Sequence, residues 1–289
     1  MSFYFKTLKQ TVTEFVEDDA LRLSAALAYY SVFSLAPLLI IAIAMAGIFF
    51  GEEAVRGQLD DQLKSSLGAS GAFAVQDMVA NARKPETNLW VSLAGVVMLL
   101  VGAGGLFGQL QTALNTVWGV KPQPGRGIRG ILRDRFLSFT MVLGTGFLLL
   151  TSMILSAVLQ AVSTWAGEVA SLPPQVWAII SGVASFALIV ILFAAIFKVL
   201  PDAKVRWRNV WTGAVFTAAL FVAGKVAIGW YLGREATASS YGTAGSLALV
   251  LLWIYYSSII LLFGAEFTQV WSNVRGDDIQ PSEGAVAED

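Results

Sequence analysis

The chain has 289 residues, of which 56% are hydrophobic and only 13% charged, with a mean hydropathy of +0.68 and a formal net charge of −1. A soluble domain carries about a quarter charged residues, so the composition points to a polytopic membrane protein. The absence of His and Cys excludes disulfides, thiol nucleophiles, His-based triads and His/Cys metal sites; no metal or cofactor is expected, and proton chemistry falls to Asp, Glu, Lys or Tyr.

The N-terminal arm, residues 1–23, begins MSFYFKTLKQTVTEF. Charged and polar residues interrupt it before the apolar core of a signal peptide forms. Phe5, Leu8, Val12 and Phe15 follow helical spacing, which predicts an amphipathic helix along the cytoplasmic leaflet. Six apolar segments follow, at 25–50, 89–110, 136–162, 176–197, 210–232 and 244–270. Each is long enough to cross about 30 Å of hydrocarbon, and backbone amides in lipid need internal partners. The expected fold is therefore all-α: a bundle of six transmembrane helices forming one domain over 1–273.

The first segment carries Tyr29, Tyr30, Ser31 and Ser34 before Pro37, which is expected to kink it. Two readings fit this polar half: it faces a cavity, or its hydroxyls bond back to their own helix. The connection 51–88 repeats Val55, Leu59 and Leu63, then Val75, Met78 and Val79, on either side of GASG. It predicts two amphipathic helices outside the membrane, serving either as a cap or as a lid over a vestibule. The second segment ends in VGAGGLFG, where Gly104 and Gly108 form a GxxxG suited to close helix packing. Arginines in GIRGILRDRF suit anchoring at anionic headgroups.

The fifth and sixth segments hold the two intramembrane charges, Lys225 and Glu266. At 1.5 Å per residue they differ in depth by about 10 Å, which argues against a direct pair. Lys225 is expected to reach outward, and Glu266 to meet Arg22, Lys198 or a tyrosine hydroxyl. Glu266 then either ties helices together or serves as a proton- or cation-coupled carboxylate. Between these segments, GREATASSYGTAGSL places Arg234, Gly242, Gly245 and Ser246 at a helix start, which suits an anion or ordinary capping. The tail 274–289 is acidic and predicted to be disordered. Thirteen Lys and Arg flank one side and five the other, which places both termini in the cytoplasm.

The stretches SAALAYYSVFSLAPLL, ALNTVWGV, LPDAKVRW and YGTAGSLALVLLWIYYSSIILLFGAEFTQV resemble the YihY/BrkB family of bacterial inner-membrane proteins, with only the acidic tail outside the match. The resemblance implies six membrane helices with cytoplasmic ends, and Pro37, Tyr241, Gly242, Gly245 and Glu266 belong to its pattern. Family members have been described as ribonuclease BN, serum-resistance factors and transporters. A ribonuclease needs clustered ligands or a general base, and the acids here are scattered, so no enzyme activity is expected. The expected function is transport or export of a small or amphiphilic solute, anionic or lipid-like, through a cavity lined by the first, fifth and sixth spans. The alternative is a non-transporting envelope scaffold that interacts with lipid. Membrane lipids and a small solute are the expected partners, with self-association open and no nucleic acid.

Overall fold

The computed structural model describes residues 3–82, 105–123, 174–234 and 242–288. The expected third span and most of the second, with Gly104, lie outside the described residues. Seven helices are described: α1 (Phe3–Glu17), α2 (Ala20–Phe50), α3 (Glu52–Ala82), α4 (105–117), α5 (Pro174–Val199), α6 (Trp207–Arg234) and α7 (Gly242–Val274). Four short strands complete the described chain: β1 (Val120–Pro122), β2 (Ala203–Lys204), β3 (Gln280–Pro281) and β4 (Ala285–Ala287).

Among the described residues, four helices are long and apolar enough to cross a bilayer, over Ala20–Ala44, Ile179–Val199, Trp207–Ala227 and Leu247–Val274. The distribution of side chains is that of a protein solvated by lipid. Phe33, Ile179, Val183, Val215, Val226 and Leu252 are exposed, while Ser24, Asn209, Thr217, Thr268 and Glu266 are buried. Water would penalise the exposed set, whereas acyl chains do not, and helices in lipid associate through small and polar contacts.

The α6–α7 pair shows how that association is built. Residues 213–217 read GAVFT and residues 264–268 read GAEFT. The helices run antiparallel, so each glycine receives the other helix's threonine: a Cβ at Gly213 would overlap the Thr268 side chain, and one at Gly264 would overlap Thr217. Each threonine turns its hydroxyl back to its own helix, Thr217 Oγ1 donating to the Gly213 carbonyl and Thr268 Oγ1 to the Gly264 carbonyl, both at 2.7 Å. The methyl and Cβ groups are thus left to fill the groove without an unpaired polar atom. Phe216 and Phe267 stack beside this contact with centroids 4.0 Å apart, and Gly224 receives the Tyr256 phenol further along.

α2 runs antiparallel to α7 and continues unbroken as a helix through Pro37. Leu23 and Leu27 share a core with Leu262 and Ala265, and Leu35 and Leu39 pack near Val250 and Ile254. α3 breaks at Gly68, whose φ of 73° and ψ of 175° suit glycine alone. Its two arms fold against each other, with Gln76 donating to Asp60. Their apolar stripe lies on α2 and α7: Val55, Leu59 and Val79 meet Ala36 and Ile43, and Val75 meets Val250. The expected outer loop thus lies alongside the apolar span of α2, because its Val and Leu stripe finds cover there.

α1 packs lengthwise on α7, Phe3 against Trp271 and Phe15 against Phe263, with centroids at 5.8 and 5.6 Å. Phe5, Leu8 and Val12 nevertheless point outward, where lipid can cover them. The tail is ordered where disorder was expected: β3 pairs with β2 and β4 with β1, both antiparallel.

If the reciprocal glycine–threonine contact sets the α6–α7 spacing, Gly213→Ala overpacks it at a cost of about 1–3 kcal/mol. The thermal unfolding midpoint in detergent should fall, and pairing the change with Thr268→Gly should recover most of the loss. An unchanged midpoint for Gly213→Ala would contradict the contact.

Candidate functional site

Glu266 follows Gly264 and Ala265, two small residues that let neighbouring helices approach α7. Its side chain is consequently sealed, at 0% exposure. Neither carboxylate oxygen has an N–H or hydroxyl donor among the described residues. The group that faces it is Asp18. α1 ends at Glu17 and α2 begins at Ala20, and between them Asp19 adopts left-handed backbone with φ 54° and ψ 34°, a conformation Asp tolerates better than most residues. Asp18 N–H donates to the Glu14 carbonyl at 2.8 Å, and Arg22 N–H donates to that of Asp19, also at 2.8 Å. The reversal brings the half-buried Asp18 carboxyl close to that of Glu266.

Two ionised carboxylates are acceptors only, so a bond between them requires that one carry a proton. The surroundings favour that state. Burial pushes the Asp18 carboxyl above its ordinary value, the bond to Glu266 opposes this, and the charges of Glu14, Glu288 and Glu17 push it up again. The cations expected near Glu266 are engaged elsewhere. Arg22 pairs with Asp19 at 3.2 Å on the exposed side. Lys198 donates to the Val205 carbonyl at 2.5 Å and lies 5.6 Å over the Trp207 ring.

The other sequence candidates do not converge on Glu266. The α6–α7 register sets Gly224 against Tyr256, so the half-buried Lys225 lies about ten residues along α7 from Glu266, or roughly 15 Å at the helical rise. Arg234 ends α6 and Gly242 opens α7, with Gly245 and Ser246 in its first turns; these four lie at the end of the pair remote from Glu266. On α2, Ser31 and Ser34 are buried, while Tyr29 and Tyr30 are exposed and in ring contact with centroids 5.9 Å apart. Ser24 bonds back to the Ala20 carbonyl at 2.7 Å. Gly108 on α4 has no described atom within 4 Å of an added Cβ. The seam between α6 and α7 is filled by the Gly–Thr and Gly–Tyr contacts, so the expected cavity between these helices is closed along that line.

Two polar clusters near the site were not anticipated. Asp202 is buried and accepts from Gln111 Nε2 at 3.3 Å and Asn115 Nδ2 at 3.2 Å, while its own N–H donates to Asn115 Oδ1 at 2.8 Å. The stretches ALNTVWGV and LPDAKVRW are thereby locked together. Asp277 accepts from Asn209 Nδ2 at 3.0 Å, from Arg208 at 3.4 Å and from Arg206. Asn209 also donates to Ser272 Oγ at 2.7 Å, so the cluster ties the tail to the start of α6 and the end of α7. The Asn209 bond holds the Asp277 carboxyl low against the opposing effect of burial, helped by Arg206 and Arg208.

Spans solvated by lipid around a sealed Glu266 define the class: an all-α membrane protein with a small-residue, polar interior. The chain belongs to the virulence factor BrkB family, whose pattern matches residues 11–288 and so includes the tail as well as the helices. It is similar to membrane proteins named UPF0761. That of Verminephrobacter eiseniae is 30% identical over 271 residues, 92% of this chain and 62% of the relative. Those of Psychrobacter sp. and Saccharophagus degradans are 26% and 30% identical, covering 96% and 89% of this chain and 50% and 57% of theirs. The chain thus spans about half to three-fifths of the length of these relatives. No solved structure matches it.

The pH response of the tail follows from Asp277. Because its folded value lies below 3.8, its contribution is complete above that pH and is lost as pH falls through the depressed folded value. Asp18, raised in the folded chain, acts with the opposite sign: its contribution is greatest below its unfolded value and is lost as pH rises through the folded one. Protease protection of residues 278–288 should therefore persist at neutral pH and fail in strong acid. Asp277→Ala should expose the tail at neutral pH; protection equal to the parent chain's would contradict the anchor.

Proposed function

We propose that the chain is an inner-membrane transporter or exporter of a small or amphiphilic solute, with six membrane helices and both termini in the cytoplasm, and that proton binding by the Asp18–Glu266 pair is coupled to its movement. The observation that carries this reading is the sealed Glu266, faced by a second carboxyl where a structural tie would use a cation or a neutral donor. A charge held in a membrane span is costly, and such groups mark ion and proton routes. Asp18 is half-buried and sits at a helix junction, which suits it to pass a proton between water and the sealed Glu266. The orientation is supported by the strands, which bring β1, the α5–α6 connection and the C-terminal tail to one end of the bundle. Lys121 beside β1 and Lys204, Arg206 and Arg208 of the α5–α6 connection lie at that end.

The closed α6–α7 seam favours a second reading, a lipid-interacting scaffold without transport. Reconstituted vesicles holding a pH-sensitive dye separate the two. With a membrane potential imposed and a panel of anionic and zwitterionic amphiphiles added, the proton-coupled reading expects protein-dependent acidification that Glu266→Gln abolishes and Asp18→Asn slows. Folded protein that moves no protons under any of these conditions would favour the scaffold.

A further inference from the structure

A cavity of about 390 Å³ lies between α2 and the two arms of α3, away from the carboxyl pair. Its walls are Leu39 and Ile43 of α2, Leu59 and Leu63 of the first arm, and Val75 and Val79 of the second. Such walls offer water few partners, so water gains little by filling them. The polar groups that line it, Arg56, Asp60 and Gln76, all belong to α3. Asp60 is already satisfied, accepting from Lys64 Nζ at 2.5 Å and from Gln76. Arg56 binds Glu52 through Nε and one terminal nitrogen, at 3.0 and 2.8 Å, in an ion pair about half exposed on both sides. An exposed pair of this kind contributes little, so its guanidinium can turn to another anion at small cost.

Gly57 also lines this space. It sits within the first arm of α3, where glycine is a poor helix former, and an added Cβ would meet no described atom within 4 Å. A side chain added at position 57 would therefore enter open space.

We infer that this cavity binds an amphiphile with one hydrocarbon tail and an anionic head, the tail among the six apolar side chains and the head at Arg56. Its volume falls at the small end of the roughly 300–1,000 Å³ usual for ligand pockets, which suits a single tail and not a two-tailed lipid or a bulky ring system. The apolar walls select the tail, and the guanidinium selects the charge of the head. A free fatty acid and a lysophospholipid with an anionic head share this chemistry. The site stands without the transport reading, since none of its residues belongs to the carboxyl pair.

Photolabelling of the full chain in nanodiscs tests it. The probes are a diazirine fatty acid, a diazirine lysophosphatidylglycerol and, as a head-group control, the matching lysophosphatidylcholine. Label from the anionic probes is expected in peptides covering residues 35–43 and 55–80. Gly57→Leu should occupy the open space and reduce that label about tenfold, with no loss in thermal midpoint because no packed group is displaced. Arg56→Gln should weaken the anionic probes and leave the choline probe unchanged. Labelling by the fatty acid alone identifies a free acid, and labelling by both anionic probes identifies a lipid-derived one; either supports the site. Label spread evenly over the lipid-facing helices, or undiminished in Gly57→Leu, would overturn it, and equal labelling by all three probes would overturn the assignment of the head. Glu266→Gln should keep the label, so a failure of proton coupling and a failure of this site read out separately.

Discussion

The contact on which the account rests is a carboxyl facing a carboxyl inside a bundle solvated by lipid. Glu266 cannot be hydrated, because it is fully buried, and it cannot be neutralised by Arg22 or Lys198, because both are held elsewhere. A proton shared with Asp18 is the simplest way to remove the repulsion between the two groups and to satisfy an oxygen on each. That requirement links distant parts of the chain. The reversal at Asp19 matters because it positions Asp18, and Gly264 and Ala265 matter because they bring helices close enough to seal Glu266. The tail reaches the same neighbourhood, with Glu288 adding negative charge beside Asp18.

The packing around the pair separates a rigid part from one with room. α6 and α7 are joined by side chains that leave no space for a Cβ at three glycines, so relative movement there would break several contacts together. α3 meets α2 and α7 through small apolar clusters and keeps a cavity beside α2. Any rearrangement that exposes Glu266 is more easily accommodated on the α2 side, where the junction with α1 is a single reversed residue, than along the α6–α7 seam. The clusters at Asp202 and Asp277 hold the connections and the tail at the end of the bundle that carries the carboxyl pair.

Much of the fold was legible in the sequence because lipid imposes simple rules. Apolar length located the four described spans, and the apolar spacing in 51–88 located both arms of α3 and the break at Gly68. Glu266 was legible as an anomaly, but its partner was not. Asp18 lies in an acidic run outside the spans, and an ion-pair rule looks for a cation, whereas the fold supplies a second acid. The close α6–α7 seam was not legible because hydropathy does not report how closely helices approach. The repeated GA-x-F-T of α6 and α7 carried that information, and at five residues it is too short to register as an internal repeat. The tail was misread from composition alone: its acidity suggested disorder, whereas Asp277 finds Arg206, Arg208 and Asn209.

Infrared difference spectroscopy of the carboxyl C=O stretch, recorded on the reconstituted chain during a pH titration, tests the shared proton most directly. The account predicts a protonated-carboxyl band that persists at neutral pH, shifts in deuterium oxide and disappears in Glu266→Gln. A spectrum at neutral pH with every carboxyl ionised, identical in the parent chain and in Glu266→Gln, would contradict it.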